Sequence, residues 1–173
     1  FLGVSSCGSR LFVSLFGYVP DLSVAVASEV IAKLSGSGSV CVYSYAETDL
    51  LIDVVGYVPT ESSVGSVVPA RVFESRQAVT VDGRFAGVGR VGAGSFVEVP
   101  LLGRGGVPAS GVGAVVMNVT AVDPSGWGFL TVYPCGSRPE ASSLNYVAGG
   151  SVAVANEVIA KLSGSGSVCV YSY

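Results

Sequence analysis

Histidine is absent from these 173 residues, which removes Ser-His-Asp and Cys-His catalysis at a stroke. Charge is scarce as well. Only 12% of the chain is charged, about half the usual share. Lysine occurs just at Lys33 and Lys161, and the net charge is −3, so no basic patch exists to bind nucleic acid. No apolar run reaches the ~18 residues of a membrane span. Zinc finds neither imidazole nor a CxxC pair. The glycine-rich run GVGRVGAG (87–94) lacks the Gly-Lys-Ser/Thr ending of a phosphate loop and reads as an ordinary loop. One carboxylate cluster remains as an enzymatic option, Glu47, Asp49 and Asp53. It reads instead as a polar turn with one carboxylate in the adjoining strand, and it has no calcium-loop spacing. Asn118-Val119-Thr120 matches a glycosylation triplet by chance. The expectation is therefore a non-enzyme with no catalytic residue, cofactor or metal.

Repetition is what the chain has in abundance. Residues 29–45, EVIAKLSGSGSVCVYSY, return unchanged at 157–173. At the same offset of 128, FLGVSSCGSR at the start resembles FLTVYPCGSR (129–138), and SVAVASEV (23–30) answers SVAVANEV (151–158). A fixed period marks a chain built from copies of one unit, here domain-sized. One period plus a 45-residue overlap reads as a window on something longer. The apolar opening lacks a basic n-region and matches internal segments, so it reads as part of a unit and not as a signal peptide.

The four cysteines fall into equivalent pairs, Cys7 with Cys41 and Cys135 with Cys169, each 34 residues apart. Paired cysteines in a Ser/Gly-rich chain point to disulfides and an oxidising, extracellular setting. Two buried free thiols per copy are the alternative.

Alternation predicts strands. AVVMNVTAV (114–122) sets Val115, Met117, Val119 and Ala121 on one face. DPSGWG (123–128) is a turn that makes it a hairpin with FLTVYPC (129–135). SSLNYV (142–147) and GSVCVYSY (166–173) are further strands. ANEVIAKL (155–162) suits helix or strand, and its Val-Ile pair and short length favour strand. VPARVFESR (68–76), QAVTVDG (77–83), SFVEVPLLG (95–103) and a buried LLIDVVGYV (50–58) complete the set. About nine strands per period, without a confident helix, predict an all-β, β-sandwich or jelly-roll-like module. The polar stretch between apolar strands divides the chain. Residues 1–59 form the C-terminal part of a preceding module, 60–66 a linker, and 67–173 a module lacking its last strand. That strand comes from continuation of the polypeptide or from another chain.

The linked motifs PARVFESR, GVPASGVGAVVMNVT, GFLTVYPCG, SSLNY and VCVYS in order over 67–173, with VCVYS and DLLIDVVGYVP in the copy before at 23–59, resemble a tandem β-repeat module of secreted and cell-surface proteins of actinobacteria. The resemblance implies export, a β-fold and a structural or adhesive role, and it transfers no catalytic residues. Residues 11–22 depart from the pattern. Among the aromatics, Trp127, Tyr133, Tyr146, Tyr171 and Tyr173 are candidates for glycan or interface contact, since flat rings stack on sugar faces. The alternative is that they fill core edges. The function expected is a structural repeat of an extracellular fibre, coat or surface adhesin, whose partners are copies of itself. The alternative is a carbohydrate- or cell-wall-binding module.

Overall fold

A computed structural model describes residues 2–7, 28, 30–32, 34–54, 64–148 and 153–173. The described residues form strands and loops without a helix. The strands are β1 (Leu2–Ser6), β2 (Val40–Ser44), β3 (Ser95–Pro100), β4 (Ala114–Ala121), β5 (Gly128–Tyr133), β6 (Leu144–Tyr146), β7 (Val154–Lys161) and β8 (Ser167–Ser172). All named pairings are antiparallel. Strands β3-β8-β5-β6 make one sheet, β4-β7 a second, and β1-β2 a third.

The alternation read from sequence sets the core. Along β7 the buried residues are Asn156, Val158 and Ala160, while Ala155, Glu157 and Lys161 face solvent. Val158, Ala160 and Leu162 pack with Val99, Leu101 and Val168 of the four-stranded sheet, so one apolar cluster joins two sheets. Val115, Met117 and Val119 of β4 back it, on the face expected for them. A second cluster gathers Ala121, Leu144 and Tyr146. Buried polar groups near it are matched. Thr131 donates to the Ala141 carbonyl at 2.8 Å, and Asn156 Nδ2 donates to the Ser143 carbonyl at 2.6 Å. Such matching matters because an unpaired buried donor costs more than a made bond returns.

Four expectations change. Strands β4 and β5 do not form a hairpin: β4 pairs with β7, and β5 lies between β8 and β6. The connection between them crosses from one sheet to the other, with Asp123 in the left-handed region at φ 48°. Residues 68–83 are not two strands. They are irregular apart from a bridge of Glu74 to Ala86. Their valines do not share a buried face, since Val68, Val79 and Val81 are exposed, and buried Glu74 and Thr80 anchor the segment instead. Leu50–Val54 of the expected buried strand are irregular and exposed, and residues 55–58 lie outside the described residues. Finally, the described residues of 67–173 hold six named strands where the sequence places eight of the nine expected per period. Of the expected linker, 64–66 are exposed and irregular, and 60–63 lie outside the described residues.

Both cysteine pairs are disulfides, Cys7–Cys41 and Cys135–Cys169, each spanning 34 residues. The two copies agree in more than the bond. β1 pairs β2 through Leu2 with Ser44 and Val4 with Val42. β5 pairs β8 through Leu130 with Ser172 and Val132 with Val170, the same register displaced by 128. The turn ahead of each second strand is also shared. Gly38 donates to Ser35 at 3.0 Å and Gly166 to Ser163 at 2.9 Å. Their φ angles of 76° and 75° are ones only glycine adopts without strain.

Candidate interaction surface

Strand period two places Cys169, Tyr171 and Tyr173 on one face of β8. Their partners on β5 are Tyr133 opposite Cys169 and Thr131 opposite Tyr171, and Tyr173 donates its backbone N–H to the Phe129 carbonyl at 3.0 Å. At the Cys169 end this face is closed. The disulfide ties Cys135 over it, Thr131 holds the Ala141 carbonyl, and Cys169 and Tyr133 are buried. Towards Tyr173 it opens.

An aromatic strip runs along the open end. The Arg138 guanidinium sits 4.4 Å from the Tyr171 ring centroid. Tyr171 is 6.3 Å from Phe129, Phe129 stacks on Tyr173 at 4.9 Å and 15°, and Tyr173 meets Trp127 at 5.5 Å. Trp127, at the tip of the 123–128 connection, is 71% exposed. A shallow hollow of about 400 Å³ adjoins the strip, lined by Phe129, Arg138, Glu140, Ala141, Ser142 and Asn145. Rings with open faces beside a guanidinium, a carboxylate and an amide can stack on the apolar face of a sugar while hydrogen-bonding its hydroxyls.

Of the five aromatic candidates, the structure brings Trp127, Tyr171 and Tyr173 together at the surface and puts Tyr133 and Tyr146 in the interior. Tyr146 is a core residue whose hydroxyl meets Ser172 Oγ and the Tyr173 carbonyl, both at 3.1 Å. Phe129 and Arg138 were missed. Their signal was present, because Phe and Arg both persist between FLTVYPCGSR and FLGVSSCGSR.

Elsewhere the polar groups hold loops in place. Buried Glu74 accepts from Arg71 at 2.8 Å and from the Arg76 side chain at 2.8 and 2.9 Å. The Arg76 side-chain and backbone hydrogen bonds hold the Glu74 carboxyl down at about 2. Glu47, Asp49 and Asp53 are exposed on irregular chain. Among the described residues, one group of acidic and sulfur side chains lies close enough to share an ion: Glu98, Cys135 and Cys169. Its two sulfurs are bonded to each other and are not free thiolate donors.

Comparison of the chain with family models, with curated proteins and with solved structures finds no match.

Proposed function

We propose that this chain belongs to a structural repeat of an extracellular fibre, coat or surface adhesin, built of two-layer β-sandwich units at a spacing of 128 residues. The observation that carries the reading is the duplicated strand pair. The same register, the same turn and the same disulfide recur at one offset in both copies. Structural disulfides suit an oxidising compartment, where each unit is clamped without a large core. The low charge fits surfaces that lie against neighbouring units. Repeated units joined head to tail generate an open filament when their rotation does not close. The resemblance to exported actinobacterial repeat modules points the same way. The role is non-enzymatic, and the partners are further copies of the unit. Electron microscopy of the intact native protein tests this. A fibre or evenly spaced beads is the expected image, and a discrete globule with no repeating spacing rejects the reading.

The aromatic strip supports a second reading, a carbohydrate- or cell-wall-binding module. Trp127, Tyr173, Phe129 and Tyr171 present ring faces beside Arg138. Peptidoglycan pull-down and a glycan array, run with the wild type and with Trp127→Ala, test it. Retention lost in the variant supports the reading. No retention by the folded wild type removes it. Trp127 is the sole tryptophan, so its fluorescence reports directly on a sugar stacking there.

A further inference from the structure

The Cys135–Cys169 disulfide is not equally open at its two sulfurs. Cys169 is 1% exposed and sits on β8 between Glu98 of β3 and Tyr133 of β5. Cys135 stands on the loop after β5 and is partly exposed. A thiolate opens a disulfide by attacking one sulfur, and the other departs with the electron pair. Access therefore directs attack to Cys135 and makes Cys169 the leaving group.

A carboxylate stands beside both atoms. An oxygen of Glu98 and the two sulfurs all lie within 4.8 Å of one another. Register puts it there, since Glu98 is the residue opposite Cys169, and Ser165 Oγ donates to its Oε1 at 3.3 Å. Among the described residues Glu98 forms no ion pair, so its charge is not cancelled. Arg138, a cation on the same face, is engaged with the Tyr171 ring at 4.4 Å. The Glu98 charge acts on both ends of the exchange. It repels a thiolate arriving at Cys135, and it disfavours the thiolate left on Cys169 in a closed, poorly solvated place. At such a separation near the surface, one added unit of charge on the incoming thiol changes the rate by a factor of about three to ten.

We propose that Cys135 is a thiol-modification site whose reagent is selected by charge, with Glu98 admitting small thiols that carry an ammonium group and turning away those that carry a carboxylate. In the first step the thiolate attacks Cys135 Sγ. A bond forms between the two sulfurs, the Cys135–Cys169 bond breaks, and its electron pair leaves on Cys169, which takes a proton from water. A second molecule of the same thiol then attacks the mixed disulfide. Cys135 returns as a thiol, and the reagent departs as its own disulfide. The chain gains two electrons and two protons, and two thiols are oxidised. The inference goes beyond the repeat reading and does not rest on it.

The probes are cysteamine, 2-mercaptoethanol and thioglycolate, applied to the full chain at matched thiolate concentration and fixed pH. Acid quenching, alkylation and peptide mapping follow each sulfur. Early time points should show the added thiol on Cys135 and a free thiol on Cys169. Cysteamine should open this bridge fastest and thioglycolate slowest. Glu98→Gln should raise the thioglycolate rate about three- to tenfold and leave the cysteamine rate within about twofold. The Cys7–Cys41 bridge, read in the same samples, should keep its order of rates in the variant and so controls for the net charge of the chain. In the wild type the spread among the three thiols should narrow as salt is raised, which keeps the test decisive if the variant does not fold. Equal acceleration of all three thiols by Glu98→Gln overturns the proposal, because loosened packing would act on each alike. So does an unchanged order in the folded variant, a wild-type spread indifferent to salt, or a first adduct on Cys169.

Discussion

Arg104 and Asp82 form a forked ion pair, with Nε donating to Oδ2 at 2.7 Å and Nη2 to Oδ1 at 2.9 Å, and the guanidinium is almost wholly buried. The same side chain donates to the Pro100 and Val72 carbonyls, each at 2.8 Å, and stands 5.2 Å from the Phe85 ring centroid. It ties the irregular segment 72–85 to the end of β3. Planar, five-donor geometry is what this position uses, and lysine lacks it. Arg104→Ala should therefore lower unfolding free energy by about 2 kcal/mol, because the Pro100 and Val72 carbonyls lose their charged donor. Arg104→Lys should fall between the variant and the wild type. Urea denaturation measures both, and a loss under about 0.5 kcal/mol for the alanine variant would contradict the role given to Arg104.

Acid should loosen the same region. Glu74 ordinarily titrates at 4.5 and is held at about 2, first by the Arg76 side-chain hydrogen bond. Asp82 is also held well below the usual carboxylate range, first by its hydrogen bond from Arg104. Both carboxyls bind fewer protons folded than unfolded. Their stabilisation is thus complete above about pH 4.5 and is lost as pH falls through the folded values. Melting temperature should drop steadily between about pH 4.5 and 2.5, and Glu74→Gln should flatten part of that slope. A melting temperature that rose on acidification would refute the assignment.

The two disulfides should not be reduced together. Cys41 is exposed whereas Cys169 is 1% exposed, though both bridges span 34 residues. Access governs attack on a sulfur. Limited treatment with a small reductant, followed by alkylation and peptide mapping, should show Cys7–Cys41 opened first. Replacing Cys135 and Cys169 together by serine should cost about 4 kcal/mol, the chain-entropy value for such a loop. Opening of Cys135–Cys169 first would mean that the face around Cys169 is not closed in solution.

Gly128 marks a close approach. A Cβ there would lie 2.8 Å from the Tyr146 hydroxyl and 2.9 Å from two of its ring carbons. Gly128→Ala should push the ring from its seat and strip the hydroxyl of Ser172 Oγ and the Tyr173 carbonyl. The expected cost is about 1–3 kcal/mol, against about 1 for Tyr146→Phe. Thermal denaturation of the two variants checks the order. An alanine variant as stable as the wild type would show that the ring can move freely.

Strand positions were legible wherever alternation was strong. The runs 114–122, 129–135 and 166–173 correspond to Ala114–Ala121, Gly128–Tyr133 and Ser167–Ser172, and 155–162 resolves as the strand Val154–Lys161. Pairing was not legible. DPSGWG has the composition of a hairpin turn, and period two says which face is buried but not which strand lies alongside. The 68–83 segment misled for a related reason. Its valines alternate as in a strand, but in the fold the segment is held by side-chain bonds of Glu74 and Asp82 to Arg71, Arg76 and Arg104, which an alternation pattern does not report. Of the interaction surface, the tyrosines could be named from sequence. Sorting Tyr171 and Tyr173 from buried Tyr133 and Tyr146 required the sheet order.

By itself the sequence determined what is local: the Ser-Gly turn, the strand that follows it, and a disulfide with a partner 34 residues away, repeated at 38 and at 166 with nearly equal geometry. Only tertiary structure decided what those residues become. Val158 and Leu162 are core, while Val30 and Leu34, with identical neighbours from 29 to 45, are exposed. Burial is a property of what packs against a residue, and β3 and β4 stand over the second copy.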